Sequence, residues 1–513
     1  MTNIMAKFKE KPLACIFSIT FLLFAAMLRF VLLDNKPIHF DESINMWFVQ
    51  RIWEDGYFTY DPTNYHGPLM FYMVHFVQFF TGFDFLSTRI VASIFSFLTI
   101  FILWMGPVKH RTAFRWASLL LLVSPAMSFY GRSGIHESSF VFFQVLGFMS
   151  FHYLTEKEFK KFWWAFAASL LGMMALKETF VVLILALVPA FLMVMLTERK
   201  TIKYSVWWKD LKLNFKKREV YMPLFAMLLL FIGVYSGFGG NPKGLRDFFV
   251  ALMPWLKTGV GGSGHEKEFL HWTKLMGVNE FAVLVGYLVA IPFALKNKWI
   301  RFYLVMTFFL WLIYSAIPYK TPWCIISIIW PFAIVSGLVL EDITTRWPGW
   351  QRAVACVLVF GMCAWEAKIQ YQIVYNNPID MTHPYVYVNS TYQMKEFIAK
   401  TQELVREQPL LREQTVQVGT EESWPIPIVF AKFYNLSYFK TNQKVEDGAL
   451  IYMVDTKDQK IIEDKLKETG KAGEYGVFTL DVRQSRSPIY VYVKRDSFQN
   501  RFSWELKDIG APL

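Results

Sequence analysis

The feature that most constrains this chain is a series of apolar runs, most of them long enough to cross a bilayer. A hydrocarbon core about 30 Å thick needs about twenty apolar residues per helix. Such runs fall at approximately 12–33, 86–106, 115–131, 137–155, 162–177, 179–197, 221–238, 278–295, 302–318, 322–340 and 352–373. They predict a polytopic α-helical membrane protein with about eleven transmembrane helices. Composition agrees. The chain is 54% hydrophobic and 18% charged, whereas soluble domains carry about a quarter charged residues. The basic start (Lys7, Lys9, Lys11) and the run Pro12–Leu33 imitate a signal peptide. The run is too long for one, and no small-x-small cleavage site precedes Asp34, so it reads as an uncleaved first span.

The net charge of +12 would suggest nucleic acid in a soluble protein. Here the basic residues sit in short loops between apolar runs, as the positive-inside rule requires. No zinc knuckle, RNA-binding signature or free basic domain is present, so no nucleic-acid partner is expected. Cys15, Cys324, Cys356 and Cys363 all lie in apolar runs without a CxxC spacing, which supports neither a metal site nor a disulfide framework.

Leu69–Phe80 is apolar but only about twelve residues long, and it contains His75, so an interfacial or re-entrant helix is expected. Charge parity supports this. If the segment does not cross, the basic loops Lys109–Arg115, Glu156–Lys161, Arg199–Arg218, Lys296–Arg301 and Glu341–Arg352 share one side with the N-terminus. That side is then the cytoplasm. The opposite side receives the first outer loop 34–85, the link Gly131–His136, the hinge Lys177-Glu178, the long loop 239–277, the turn Pro318–Pro322 and everything after about 374. Seven of the nine histidines fall there, although histidine played no part in the assignment. The expected setting is the plasma membrane.

The chain divides into a transmembrane domain, 1–374, and a domain at 375–513. The latter carries β-rich runs at Tyr385–Val388, Val416–Val418, Leu450–Val454, Tyr475–Leu480 and Ile489–Val493, and a helical pattern at Asp458–Thr469. It reads as a small extracytoplasmic α/β domain. Asn389-Ser390-Thr391 and Asn435-Leu436-Ser437 fit the N-glycosylation pattern, a short and frequent one.

Polar motifs gather on the outer side. His39-Phe40-Asp41-Glu42 places two carboxylates just beyond the first span, and Tyr57 and His66-Gly67-Pro68-Leu69 follow before Arg89 opens the next. Pro68 suits the first turn of the short helix. Arg132, His136 and Glu137 lie within six residues at a membrane boundary, where they cost desolvation unless paired or hydrated. Two prolines aim Tyr319, Lys320 and Trp323 at the outer surface. Each motif also has a plainer reading: solvated helix-end charges for Asp41-Glu42, a helix-capping imidazole for His66, a snorkelling Arg132 or Lys320, and a local ion pair for Lys177-Glu178. The stretch Gly261-Gly262-Ser263-Gly264 reads either as a mobile lid over a groove or as an inert linker, and it lacks the ending of a phosphate-binding P-loop.

Taken together, HFDES, YHGPL, RSGIHES, LKET and IPYKTPW resemble the membrane glycosyltransferases of the GT-C fold. That clan includes the dolichyl-phosphate-mannose–protein mannosyltransferases and the lipid A aminoarabinose transferases. The motifs are most similar to its flippase-activity-associated family, over about residues 10–375. The usual clan pattern has His-Pro-Pro or Lys-Pro-Pro where this chain has His66-Gly67-Pro68. The resemblance implies a polyprenyl-phosphate-linked sugar donor and inverting transfer to an extracytoplasmic acceptor, a protein hydroxyl or a glycolipid. It also implies Asp41 as general base and Glu137 at the matching acidic position.

Chemistry is consistent with that implication. An acceptor hydroxyl needs a base within hydrogen-bond reach, and the departing lipid phosphate needs preorganised cations. Arg89, Arg132 and Lys320 are the candidates, with Lys320 foremost. Tyr57, Tyr319 and Trp323 are placed to stack on the sugar or hold the prenyl chain, and His66 and His136 complete the substrate-binding set. A divalent cation, with Glu42 as a ligand and His66, His136 or Glu137 as others, is compatible with the residues, but no spacing demands one. Two other classes compete: a flippase for a lipid-linked sugar, or a noncatalytic scaffold. A transporter expects charges at the midplane and repeated halves; here the motifs sit at the outer boundary and no repeat is visible. A scaffold leaves their clustering unexplained.

Overall fold

The computed structural model describes residues 12–64, 66–155, 161–199, 217–261, 265–421, 424–439, 445–484 and 486–511. Tyr65, the basic N-terminus, most of the loops Glu156–Lys161 and Arg199–Arg218, and the Gly-rich residues 262–264 lie outside them. The chain forms two compact units. One comprises Met1–Leu33 and Arg51–Pro378, the other Asp34–Gln50 and Ile379–Leu513.

The first unit is a helical bundle. Among the described residues, seven helices are long and apolar enough to span a membrane: Pro12–Phe30, Leu86–Trp104, Phe180–Thr197, Arg218–Tyr235, Lys298–Ala316, Pro322–Arg346 and Gly349–Asn376. An eighth span arises if His271–Asn279 and Phe281–Phe293, bent by 110° at Glu280, are counted together. The other three expected spans correspond to a helix broken at Ser124 (Arg111–Val123 and Pro125–Tyr130), to His136–Thr155 with its polar first turn, and to the fifteen-residue helix Phe162–Leu176. The chain is thus a multi-pass membrane protein. Leu69–Thr81, at thirteen residues, is too short to cross unaided.

Burial sorts these helices by position. Ile325–Arg346 is buried along nearly its whole length and packs against Arg111–Val123, Phe281–Phe293 and Lys298–Ala316. A Cβ on Gly337 would stand 2.2 Å from the Ala113 carbonyl oxygen. Glycine therefore permits the close backbone approach on which helix packing in lipid relies. By contrast, Phe180–Thr197 exposes Ile184, Leu185, Val188, Leu192 and Leu196, a surface suited to lipid.

The break at Ser124-Pro125 is held by Arg29 and Glu280 from distant parts of the chain. Pro125 occupies the first helical turn, and Ser124 Oγ accepts from the Met127 amide at 3.2 Å. Carbonyls left over at the end of Arg111–Val123 are taken by the fully buried Arg29, which reaches Leu121 O at 3.3 Å and Leu122 O at 3.5 Å. The same guanidinium donates to Ser96 Oγ and Ser128 Oγ. On the other side of the break the Ala126 amide donates to Glu280 Oε1 at 2.7 Å. A cation on carbonyls and a carboxylate on an amide match the polarity of the two helix ends. The pattern repeats at the bend, where the Ala282 amide donates to Glu366 Oε1 at 2.7 Å.

The second unit is built on a five-stranded mixed sheet of β1 (Thr415–Gly419), β2 (Asn435–Tyr438), β3 (Ile451–Asp455), β4 (Tyr475–Leu480) and β5 (Ile489–Lys494). The order is β2-β1-β3-β5-β4. Strands β2, β1 and β3 are parallel, and β5 runs antiparallel to both β3 and β4. The helix Gln459–Glu468 buries Ile462 and Leu466 in a cluster with Tyr452, Val454, Tyr475, Val477 and Tyr492. Buried tyrosine hydroxyls find acceptors, as Tyr475 does at Ala449 O (2.6 Å). This is the small C-terminal sheet domain expected from the sequence, but residues 34–50, expected in the transmembrane domain, group with it, and β2 lies outside the expected β-rich runs. Tyr385–Val388 is not a strand: Val388 adopts φ +47°, which ends extended backbone before only Asn389 and Ser390 form bridges. Asn389 is 1% exposed, so folded protein offers no glycan acceptor there, whereas Asn435 lies exposed on the edge strand β2.

Candidate active site

Asp41 belongs to the second unit, in the first turn of the helix Phe40–Asp55. The cap of that helix separates the two adjacent carboxylates. His39 Nδ1 accepts from the Asp41 amide at 3.1 Å, and Glu42 Oε2 accepts from the His39 amide at 2.9 Å. This is a reciprocal capping box with histidine in the usual Ser/Thr place. Glu42 is 1% exposed and engaged in capping. Asp41 remains half-buried, and its charge adds to burial in pushing the Tyr387 phenol up.

In the first unit a denser polar cluster forms from four separate segments. Glu137, in the first turn of His136–Thr155, pairs with Lys177 in an ion pair buried on both sides. Lys177 Nζ also lies 3.9 Å from Cys324 Sγ, which is 3.3 Å from Thr321 Oγ1. Glu178 Oε2 meets His66 Nδ1 at 3.3 Å. The His66 and His136 rings approach to 4.8 Å between centroids, and buried His136 Nε2 has no hydrogen-bond partner among the described residues. Lys177 and Glu178 are therefore no local pair: each reaches a partner from a distant part of the chain. The sequence does not identify them as site residues. The usable signal was their position, two charges between apolar runs with almost no loop to solvate them.

Gly67 gains a physical explanation. Its amide donates to Leu176 O at 3.1 Å, and a Cβ there would stand 2.2 Å from Ala175 O. Proline could supply neither the N–H nor the space. The departure from the usual His-Pro-Pro pattern thus fastens His66 to the hinge that carries Lys177 and Glu178.

The expected cations are placed differently from one another. Arg132 donates to Leu28 O (3.0 Å), Val31 O (2.6 Å) and Leu32 O (2.9 Å), and its guanidinium lies 5.0 Å from the Tyr375 ring centre. Arg89 donates to Leu33 O at 2.9 Å. Arg132 thus caps the C-terminal end of Pro12–Phe30, where cations are favoured, and both arginines hold the turn that follows it. Lys320 is 2% exposed, and its ammonium donates to Ile317 O (2.6 Å) and Lys267 O (3.2 Å). Burial pushes its pKa down. The turn is fastened to the long outer loop by Lys320 N to His265 O and Lys267 N to Pro318 O. Tyr319 packs its ring 5.3 Å from His265, Trp323 is half-buried, and Tyr57 lies against Gly237 and Gly240.

Among the described residues no three His, Cys, Asp or Glu side chains come together as a metal site, and Glu42 serves the helix cap.

No family model matches the chain, and no curated protein matches it. Solved structures do, among them two of the same protein. One is ArnT from Cupriavidus metallidurans bound to undecaprenyl phosphate, at 12% identity and a TM-score of 0.59, covering 95% of this chain and 99% of that one. The other is ArnT from the same organism in the apo state, at 11% identity and a TM-score of 0.58, covering 93% and 98%. The fold of this chain is the GT-C fold along nearly its whole length.

Proposed function

We propose that this protein is a GT-C glycosyltransferase that moves a sugar from a polyprenyl-phosphate donor to an extracytoplasmic acceptor, a protein hydroxyl or a glycolipid, with inversion. The observation that carries this reading is the near full-length likeness to a structure bound to undecaprenyl phosphate. The buried Glu137–Lys177 pair supports it, with Glu178 beside His66, because a membrane protein retains buried charges at a cost that function repays.

In this mechanism Asp41 takes the proton of the acceptor hydroxyl. The acceptor oxygen attacks the anomeric carbon from the face opposite the phosphate. The bond from that carbon to the phosphate oxygen breaks, and its electron pair leaves with the lipid phosphate. Lys320 stabilises the growing phosphate charge as a point cation. Glu137 fixes the charge and position of Lys177, and His66, His136, Tyr57, Tyr319 and Trp323 contact sugar or prenyl chain. Arg132 and Arg89 hold the end of the first span from which the Asp41 loop departs. In this reading the N-terminus is cytoplasmic, the C-terminal unit is extracytoplasmic and the protein resides in the plasma membrane.

One observation favours a transporter: the broken helix at Ser124 and the bend at Glu280, both lined by buried ionisable side chains, match the discontinuous helices of transporters. Yet Arg29, Glu280 and Glu366 all bond backbone groups of those breaks. Incubating purified protein with a panel of polyprenyl-phosphate sugars and acceptors separates the two. A transferase releases lipid phosphate; a flippase reconstituted in vesicles moves the lipid and releases none.

A further inference from the structure

The stretch that carries Asp41 is contiguous in sequence with the first span, but its contacts group it with Ile379–Leu513. The fastening is specific. Ile38 O accepts from both the amide and the hydroxyl of Ser390, at 2.9 and 2.8 Å. The Phe40 amide donates to Val388 O at 3.2 Å. His39 pairs with Asn389, and Ser390 in turn with Arg483, as antiparallel bridges. The Arg483 guanidinium lies 4.6 Å from the centre of the Phe40 ring. A second tie runs from Lys395 to Asp34, at 3.0 Å. Val388 holds φ +47°, a conformation that a β-branched residue keeps only where its surroundings over-determine it.

The residues so gripped, Ile38 to Phe40, immediately precede Asp41. A general base must stay within hydrogen-bond reach of its proton, and catalytic groups must be held to about 0.5 Å. A loop end emerging from a membrane helix has no such precision by itself. We propose that the C-terminal unit is the mount of the catalytic base: Ser390 and Arg483 are positioning residues that hold Ile38–Phe40 in a three-segment ribbon and thereby place Asp41. This inference rests on Asp41 being the base. It gives the C-terminal unit a role in turnover that its fold does not disclose.

The test uses the full-length protein and the polyprenyl-phosphate sugar that supports turnover. Ser390→Ala, Arg483→Ala and the double variant are compared with Ser390→Thr, which keeps the hydroxyl, and with Asp41→Asn. The expected result is a kcat lowered about 100-fold in the double variant, the order that a 1 Å misplacement causes. Affinity for the lipid-linked sugar stays at the wild-type value, and Ser390→Thr restores turnover relative to Ser390→Ala. Wild-type kcat in the double variant, with Asp41→Asn inactive, overturns the mount and leaves the base standing. Parallel loss of kcat and donor affinity also overturns it, because general damage to the fold acts on both. If the double variant does not fold, Arg483→Ala alone must show the same split. Turnover by Asp41→Asn removes the base assignment itself.

Discussion

Asp41 and Glu137 are both carboxylates in the first turn of a helix, and they are supported by opposite means. Around Asp41 the demands of the helix end are met by neighbours, His39 and Glu42, through backbone amides, and the carboxylate stays half-buried. Glu137 is 3% exposed and tied to the ammonium of Lys177. A base must gain and lose a proton at little cost to the fold. A carboxylate locked in a buried ion pair cannot, since removing either charge strands the other. The buried ion pair of Glu137 suits a fixed field.

The sharpest way to break this comparison is Lys177→Met. It leaves the Glu137 charge buried without its ammonium and should cost about 3–5 kcal/mol. Adding Glu137→Gln should recover much of that stability in a detergent melt without recovering turnover. If the single variant melts like wild type, the pair is not holding a charge. Gly67→Ala comes next, at about 1–3 kcal/mol, because the new methyl meets the Ala175 carbonyl in a packed hinge. Donor affinity should fall with it, through displacement of His66. Glu42→Gln is milder: it weakens one cap bond, about 1 kcal/mol, and should slow turnover while leaving donor affinity unchanged.

The smallest effect concerns Lys320 and is read against pH. Burial lowers its pKa, so its charge is complete at low pH and is lost, as pH rises, sooner than that of an ordinary lysine. Turnover should show an alkaline limb there. Lys320→Arg, charged to above about 12, should shift that limb upward. An unmoved limb means another group supplies the phosphate with charge.

Much of this was legible in the sequence, for identifiable reasons. Apolar runs of membrane length and alternating β-rich runs have a fixed period or length, so seven or eight of the spans and four of the five expected strand segments could be read directly. The acidic pair beyond the first span, the Arg-His-Glu turn and the Lys320 turn stood out because charge at a membrane boundary is costly. What the sequence hides is partnership. Nothing local says that Lys177 faces Glu137 and Glu178 faces His66, or that the guanidinium groups of Arg132 and Arg89 lie on the carbonyls of the first helix. Arg29 and Glu280 were not singled out in the sequence, because their task, closing the break at Ser124, depends on a bend and a break that only the packed bundle creates. The grouping of residues 34–50 with the C-terminal unit is likewise set by tertiary pairing, through backbone atoms that carry no sequence signature.

The central claim is that Asp41 acts as the base of a polyprenyl-phosphate-dependent sugar transfer. Its most direct test is release of lipid phosphate by purified Asp41→Asn beside wild type, with a matched melt. The account predicts an unchanged melt and no acceptor-dependent release. Wild-type release by Asp41→Asn would contradict it.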